Sequence, residues 1–325
     1  MQQTTNTILM VRPTSFRMNE QTAVNNYYQK DVEGKTQEEL QQIAEQEFDA
    51  FVEKLRAVGV TVVVFSPDDG LDTPDAHFPN NWISFHEDGQ VALYPMFAEN
   101  RRLERREAVL HQLEAEGYSI EHIIDYRSAE DESLFLEGTG SLLLDRVNRK
   151  AYCALSPRAD EELFIEFCED FDYFPVIFTA NQTVNGQREP IYHTNVMMCL
   201  GETFAVICLS SIDDKKERKN VIHHLKESNK EIIDISGRIE KSQADEIAFM
   251  RDWLEQRSEA TDIDHSMHMD HSLMGMATGA QMKLLAESSG VDFDRLFLQL
   301  MIPHHEGAVR MVNEATGTIV GTCDV

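Results

Sequence analysis

A strand–strand–helix–strand pattern that recurs at a spacing of about 60 residues constrains the fold of this chain more than any other feature. The unit is clearest over residues 82–124, and it recurs over 141–178 and over 196–235. In each occurrence two apolar runs flank a short polar turn, and an amphipathic stretch separates them from a third apolar run. A supersecondary unit repeated at a fixed spacing is typical of propellers. The sequence therefore predicts an α/β propeller of ββαβ units.

The repeat stops near Gly237, where the composition of the chain changes. Residues 238–325 hold 8 of the 14 Met residues and 5 of the 12 His residues. Their apolar spacing is helical, apart from a polar link over residues 259–277. We therefore expect two domains, a propeller domain over residues 1–236 and a short all-α, His/Met-rich domain over 237–325.

The charge of the chain excludes several classes of partner. It carries 29 basic and 57 acidic residues, a net charge of −28. Such a field repels phosphate backbones and anionic lipids, so we expect neither nucleic-acid binding nor membrane attachment. No run approaches the ~20 apolar residues of a membrane-spanning helix. The five cysteines lack CxxC spacing and the first residues lack a leader pattern, so we expect a cytoplasmic protein with reduced thiols.

Three polar motifs stand immediately before the hairpins of these repeats. They are Asp75–Trp82, Phe135–Gly140 and Tyr192–Asn195. Equivalent positions of a propeller converge on its central axis, so three distant motifs can build one site. Taken alone, each motif is more typical of an ordinary turn or a capped loop. Their equivalent placement predicts that they share a site.

Residues 1–235 resemble the amidinotransferase/arginine deiminase superfamily, and most closely its citrulline-utilisation hydrolases (citrulline ureidases). The similar stretches occur in the order found in that family. They are Met10–Pro13, Asn25–Gln29, Asp72–Asp75, Phe78–Trp82, Leu136–Gly140, Leu155–Asp160 and Tyr192–Met198. The resemblance implies a pentein-like, five-bladed α/β propeller, of which the C-terminal blade is missing in this chain.

The resemblance also implies a mechanism. In that family a cysteine thiolate attacks the planar ureido or guanidino carbon, and a histidine transfers protons. His193 matches the histidine, and Glu137 matches the carboxylate that holds the substrate nitrogens. The family's nucleophile lies in a glycine-rich run near the C-terminus, which this chain lacks. Cys323 is the remaining candidate nucleophile near the C-terminus, and the alternative is a site without an attacking group.

The asparagines of the first and third motifs bear on the substrate. Relatives that act on a guanidinium have carboxylates where Asn81 and Asn195 stand. A guanidinium offers only donors, whereas a ureido group offers donors and one carbonyl acceptor, and an amide can match both. Asn81 and Asn195 therefore favour citrulline over arginine, unless they mark an inactive site. Arg101 either clamps a substrate α-carboxylate or lies on a solvated helix face, and Asp75 is a further candidate for substrate binding.

Histidine and methionine are concentrated in the run from His265 to Met276 and in the last helical stretch. Thioether and imidazole ligands together suit copper, above all Cu(I). The candidate metal ligands are His268, Met269, His271, His304 and His305. Alternatively, the methionines fill a helical core and the histidines belong to a linker that binds metals loosely.

Residues 238–314 resemble part of a bacterial ferritin-like, His/Met-rich family of unknown function that is associated with copper. The best stretch is Met301–Met311, with further similarity over Ile239–Ile247, Met250–Leu254 and Phe293–Phe297. The resemblance implies a partial helical domain in this part of the chain.

The leading hypothesis is a cytoplasmic propeller hydrolase that acts on the ureido or guanidino group of a citrulline- or arginine-like amino acid. It would convert citrulline to ornithine, CO2 and ammonia without a cofactor in the propeller. One alternative is a copper-binding or copper-buffering protein that uses the His/Met-rich segment. Another is a non-catalytic binder of citrulline-like ligands. The sheet edges left by a missing blade also favour a homo-oligomer.

Overall fold

The computed structural model of the protein describes residues 2–29, 34–184 and 186–236, and also 281, 283–285, 288, 296–297 and 299–302. The strands are β1 (Thr7–Val11), β2 (Thr61–Phe65), β3 (Ile83–Phe85), β4 (Gln90–Leu93), β5 (His122–Asp125), β6 (Leu142–Asp145), β7 (Lys150–Ala154), β8 (Phe174–Phe178), β9 (Asn181–Val184), β10 (Gln187–Pro190), β11 (Met198–Leu200), β12 (Phe204–Ile207) and β13 (Glu231–Asp234). The helices are α1 (Glu20–Ala23), α2 (Gln37–Ala57), α3 (Glu99–Arg102), α4 (Glu107–Ala115), α5 (Gly138–Ser141), α6 (Glu161–Asp170) and α7 (Lys215–Glu227).

The sheets repeat one strand order, which is the repeat that the sequence predicts. In the first three-stranded sheet β4 pairs antiparallel with β3 and parallel with β5, and α4 connects the parallel strands. The sheet β6–β7–β8 has the same directions, with α6 as the connection. The sheet β11–β12–β13 has the same order, with α7 between its second and third strands. The remaining sheets, β1–β2 and β9–β10, contain two strands each among the described residues.

Helix α6 shows how local sequence and packing combine in one repeat. Asp160 caps the helix, because its Oδ1 accepts hydrogen bonds from the backbone N–H groups of Glu162 (3.0 Å) and Leu163 (3.1 Å). The buried face of the helix consists of Leu163, Phe164, Phe167 and Cys168. This face packs into a core cluster that also contains Leu142, the first residue of β6. The core therefore fixes the start of β6 and, with it, the motif directly before that strand.

A second core cluster anchors the first motif. It joins β2, β3, β4 and α4 and consists of Val63, Trp82, Ile83, Val91, Leu93, Met96, Val109 and Leu113. Trp82 is only 2% exposed and directly follows Asn81. Burial of this large ring holds the backbone of Asn81 in place.

Two elements differ from the sequence-based expectation. The amphipathic stretch over 101–117 predicts a single helix. It is instead divided into α3 and α4, because Arg106 has extended backbone angles (φ −100°, ψ 122°) and begins the second helix. The hairpin formed by β9 and β10 was not expected, since its residues are mostly polar and lack a clear apolar alternation.

The chain divides into two compact units. The first consists of residues 1–180, 190–206 and 212–233 and contains all three polar motifs. The second consists of residues 181–189, 207–211 and 234–325. In its described part the backbone N–H of Ile235 donates to the carbonyl of Ile207 at 3.0 Å. The predicted domain boundary at 236 coincides with the end of the described run and stays a prediction.

Among the described residues, no helix combines the length and the apolar character needed to cross a membrane.

Candidate active site

A cavity of about 500 Å³ lies within the first unit. Five of the residues singled out from the sequence line it: Asp75, Asn81, Arg101, His193 and Asn195. Glu137 lies directly behind His193 and is fully buried. The structure therefore brings the three motifs together around one cavity.

Short turns at the entrances of three sheets deliver the motif residues. Pro79–Asn81 forms a 3₁₀ turn before β3, and Thr194–Val196 forms an equivalent turn before β11. Helix α5 occupies the corresponding position before β6 and contacts both turns. The first strand of each sheet thus begins at the cavity, and this common position explains why residues far apart in sequence meet.

Glu137 and His193 form the central pair of the site. Glu137 Oε2 lies 2.7 Å from His193 Nε2, and both side chains are buried. Burial by itself would raise the pKa of Glu137, but the hydrogen bond with His193 and the positive charge of Arg158 and Arg101 lower it to about 2. Burial lowers the pKa of His193, against the opposing effect of Glu137. An ionised Glu137 can only accept, so Nε2 of a neutral His193 carries the proton and Nδ1 is its basic nitrogen.

Two buried arginines flank Glu137. Arg158 Nη1 lies 3.4 Å and Arg101 Nη1 lies 3.9 Å from Glu137 Oε2. Arg158 is held by its hydrogen bonds to Asn25 Oδ1 (2.9 Å from Nε) and to the carbonyl of Thr22 (2.8 Å from Nη2). These cations keep Glu137 ionised in an otherwise desolvated position.

Arg101 connects the site to a second buried carboxylate. Its Nε and Nη2 donate to the two oxygens of Glu104 at 3.0 and 2.9 Å, and its Nη1 donates to Asn81 Oδ1 at 2.7 Å. Burial raises the pKa of Glu104 to about 7, against the opposing charge of Arg101. The guanidinium is thus neither solvated nor on an open helix face. Its predicted role as a clamp for a substrate α-carboxylate stays a prediction.

Gly140 allows the close approach of two site residues. A Cβ atom added there would lie 2.3 Å from Asn81 Nδ2 and 2.8 Å from His193 Nδ1. Gly138, in the same motif, has φ +41°, and an added Cβ would lie 2.3 Å from the carbonyl oxygen of Asn80. The glycines of this motif therefore leave space that any side chain would fill.

Asp75 and Asn195 occupy different environments. Asp75 Oδ2 accepts hydrogen bonds from Asn19 Nδ2 (2.7 Å) and Thr22 Oγ1 (3.0 Å), so the protein already engages part of this carboxylate. Asn195 is exposed at the cavity. Both residues are accessible to a ligand in the cavity, and their predicted contact with substrate stays a prediction.

Several predicted site residues lie outside the part of the chain that the structure describes. They are Cys323 and the candidate metal ligands His268, Met269, His271, His304 and His305. The described cysteines are Cys153, Cys168, Cys199 and Cys208, and none of these four lines the cavity. Burial raises the pKa of Cys153 and raises that of Cys168 to about 12. No cluster of potential metal ligands occurs among the described residues.

Sequence reasoning did not assign a role to Glu104, Arg158 or Gly140. Glu104 and Arg158 are charged residues that are only 2% and 1% exposed. Charged side chains are expected at the surface unless they are paired, and the partners come from distant segments. Arg158 belongs to Leu155–Asp160, one of the stretches that resemble the amidinotransferase superfamily, and this resemblance was the only sequence feature that pointed to it.

Comparison with known proteins gives two family matches. A family described as "N,N dimethylarginine dimethylhydrolase, eukaryotic" matches residues 12–260. A family described as "Domain of unknown function (DUF305)" matches residues 221–319. The second match does not bear on the ferritin-like fold expected for this segment, which stays a prediction. A search of curated proteins gives no match.

Solved structures share the fold at low identity. The substrate-bound N-terminal domain of ArgZ, an arginine dihydrolase from the ornithine–ammonia cycle in Cyanobacteria, is 16% identical, with a TM-score of 0.51 over 72% of this chain and 77% of that chain. The apo structure of ArgZ is 16% identical, with a TM-score of 0.53 over 71% of this chain and 32% of that chain. AgrE in complex with ornithine and NAD+ is 16% identical, with a TM-score of 0.51 over 72% of this chain and 31% of that chain. These likenesses establish a pentein-type, propeller-like α/β fold.

The dimethylarginine dimethylhydrolase match covers all three motifs, the Glu137–His193 pair and both flanking arginines. It spans about three quarters of the 325 residues. The chain therefore belongs to the N,N dimethylarginine dimethylhydrolase family.

Proposed function

We propose that the cavity binds a citrulline-like amino acid and that the protein hydrolyses its ureido group. The observation that carries this proposal is the buried Glu137–His193 pair, whose 2.7 Å contact lies beside Asn81 at the cavity. Membership of a hydrolase family supports the reaction class, an attack on the planar carbon of an arginine-like side chain. The choice of citrulline rests on the chemistry of the groups around the cavity.

The charges around the head-group position favour a neutral ligand. Glu137 is flanked by Arg101 and Arg158, so the carboxylate that would hold a guanidinium is already paired with two cations, of which Arg101 is also paired with Glu104. A ureido group brings no charge, and its carbonyl can accept from an amide N–H such as that of Asn81.

The proposed reaction has two steps. A cysteine thiol transfers its proton to His193 Nδ1, and the thiolate forms a bond to the ureido carbon. The bond from this carbon to the ornithine Nδ breaks, and the imidazolium gives its proton to the leaving amine. A carbamoyl group then remains on the cysteine sulfur.

Water completes the cycle. His193 takes a proton from a water molecule, whose oxygen attacks the carbamoyl carbon and displaces the thiolate, which regains the proton. The carbamic acid released decomposes to ammonia and CO2. Glu137 keeps His193 in the tautomer that has a basic Nδ1 and stabilises the transient imidazolium.

The proposal assigns the attacking thiolate to Cys323. Cys153 and Cys168 are buried with raised thiol pKa values, so they are poor nucleophiles. Cys199 is exposed and Cys208 is half-buried, and neither lines the cavity. Cys323 remains the candidate that sequence reasoning singles out.

Turnover of citrulline carrying a labelled ureido carbon tests the proposal. The unaltered chain should release labelled CO2 with equimolar ornithine and ammonia, and Cys323→Ala should abolish this release. Cys199→Ala is the matched control and should retain it. Turnover that survives Cys323→Ala would refute the assignment of the nucleophile. Tight binding of citrulline without turnover would refute the hydrolase proposal and show that the protein is a non-catalytic binder.

A second proposal concerns the His/Met-rich segment from His265 to Met276. We propose that it binds Cu(I), because thioether and imidazole groups alternate over a few residues. Anaerobic titration of the full chain with Cu(I) should show at least stoichiometric, tight binding. Sub-stoichiometric binding, or binding of micromolar or weaker affinity, would contradict it.

A further inference from the structure

Glu104 is a buried carboxylate that does not touch the cavity. It is 2% exposed and is absent from the residues that line the cavity. Its two oxygens accept from Arg101 Nε at 3.0 Å and from Arg101 Nη2 at 2.9 Å. Two parallel hydrogen bonds to one carboxylate fix the plane of a guanidinium as well as its position. The carbonyls of Phe78 and Asp75 also accept from Arg101 Nη2, at 3.2 and 3.4 Å. Glu104, as the bidentate partner, contributes most to the direction in which Nη1 of Arg101 points.

The Nη1 group of Arg101 determines the orientation of the Asn81 amide. Arg101 Nη1 donates to Asn81 Oδ1 at 2.7 Å. A guanidinium has no acceptor, so the oxygen of the amide must face Arg101 and the NH2 group must face away. A flipped amide would place its NH2 group against the guanidinium and lose a charge-assisted hydrogen bond.

The NH2 group of Asn81 is directed toward His193 and α5. The position of an added Cβ on Gly140 lies 2.3 Å from Asn81 Nδ2 and 2.8 Å from His193 Nδ1, so both nitrogens flank one point. Asn81 Nδ2 has no hydrogen-bond partner among the described residues, although Asn81 is 4% exposed. Asn81 lines the cavity, so this free donor is open to a ligand, and a ligand acceptor can bind it.

We propose that Glu104 is a positioning residue which, through Arg101, presents the Asn81 amide as a donor and thereby selects a carbonyl-bearing ureido ligand over a guanidinium. This inference rests on the proposed function of the cavity. It extends that function by naming the buried ion pair that sets the selectivity. A guanidinium offers only donors, so it cannot accept from Asn81 Nδ2.

The test is the ratio of two affinities in the full chain, measured by calorimetric titration with citrulline and with arginine. The variants are Glu104→Gln and the double variant Arg101→Met/Glu104→Leu. The second replaces a buried ion pair by apolar groups of similar volume, which is often neutral for stability. Glu99→Gln is the matched control, since Glu99 is an exposed carboxylate on the same stretch of chain.

The unaltered chain and Glu99→Gln should prefer citrulline. Both other variants should lose about tenfold of that preference, the effect of one neutral hydrogen bond on a binding constant. A purely structural ion pair would weaken both ligands equally and leave the ratio unchanged, which would refute the inference. Failure of the unaltered chain to bind citrulline would refute the proposed function and this inference with it, whereas binding with an unchanged ratio refutes the inference alone.

A measurement on the unaltered chain tests the donor role of Asn81, on which the inference depends, without a substitution. In protein with ¹⁵N-labelled asparagine, citrulline should shift the two side-chain amide protons of Asn81 and slow their exchange with solvent. Arginine at an equal degree of saturation should leave that exchange unchanged. Equal effects of the two ligands would overturn the inference.

Discussion

Substitution of Gly140 by alanine should damage the site more than the fold. The added Cβ would lie 2.3 Å from Asn81 Nδ2 and 2.8 Å from His193 Nδ1, closer than carbon and nitrogen can approach. Arg101 holds Asn81 and Glu137 holds His193, so neither side chain can move away without losing a hydrogen bond.

The two effects on stability oppose each other. Gly140 does not have a positive φ, so alanine fits the backbone there and reduces the entropy of the unfolded chain by about 0.4–1 kcal/mol. Overpacking of a buried site costs about 1–3 kcal/mol. The expected net loss is about 1–2 kcal/mol, which lowers Tm by roughly 2–8 °C.

Thermal unfolding and calorimetric titration with citrulline measure both consequences of Gly140→Ala. Displacement of His193 or Asn81 should lower the affinity at least tenfold, because one hydrogen bond at the head group is lost. Gly117→Ala is the control: Gly117 has φ +94° and no atom within 4 Å of an added Cβ, so strain lowers Tm while affinity is unchanged. Unaltered affinity in Gly140→Ala would refute the reasoning.

Three further predictions concern buried charge and pH. Glu137→Gln should lower the free energy of unfolding by about 3–5 kcal/mol in urea titrations, because it removes the partner of buried cations. Lys230→Met should cost a similar amount, since Lys230 and Asp145 form a fully buried pair at 3.3 Å, and adding Asp145→Leu should restore most of the loss. Burial lowers the pKa of His77 to about 4 and of His86 to about 3. The unfolded chain therefore binds protons below pH 6.5 that the folded chain does not, so each histidine should reduce stability by about 2 kcal/mol between pH 7.5 and pH 5. Stability that stays constant over this range would contradict the burial argument.

The elements that the sequence predicts well are those with strong local signals. The run of apolar and β-branched side chains over Thr7–Val11 predicts a strand without a competing interpretation, and β1 occupies these residues. The helical spacing of apolar residues from Gln37 onward predicts a helix there, and α2 begins at Gln37 because Thr36 and Glu39 form a reciprocal capping box.

The elements that cannot be predicted from the sequence depend on tertiary contacts. The split between α3 and α4 accompanies the burial of Arg101 and Glu104, a preference that no propensity encodes. The meeting of Asp75, Asn81, His193 and Asn195 at one cavity follows from the repeat, which is visible in the sequence. The role of Arg158 is not visible in the sequence, because its partners come from distant segments. Asn25 lies more than a hundred residues away and Glu137 about twenty.

Citrulline binding to the unaltered chain and to Glu137→Ala tests the central claim most directly. Glu137 is the residue on which His193, Arg101 and Arg158 converge. If the ureido group lies against the Glu137–His193 pair, calorimetry should show saturable binding of citrulline that weakens about 100-fold or more in Glu137→Ala while the variant remains folded. Equal affinity of the two proteins, or no binding by the unaltered chain, would contradict the account.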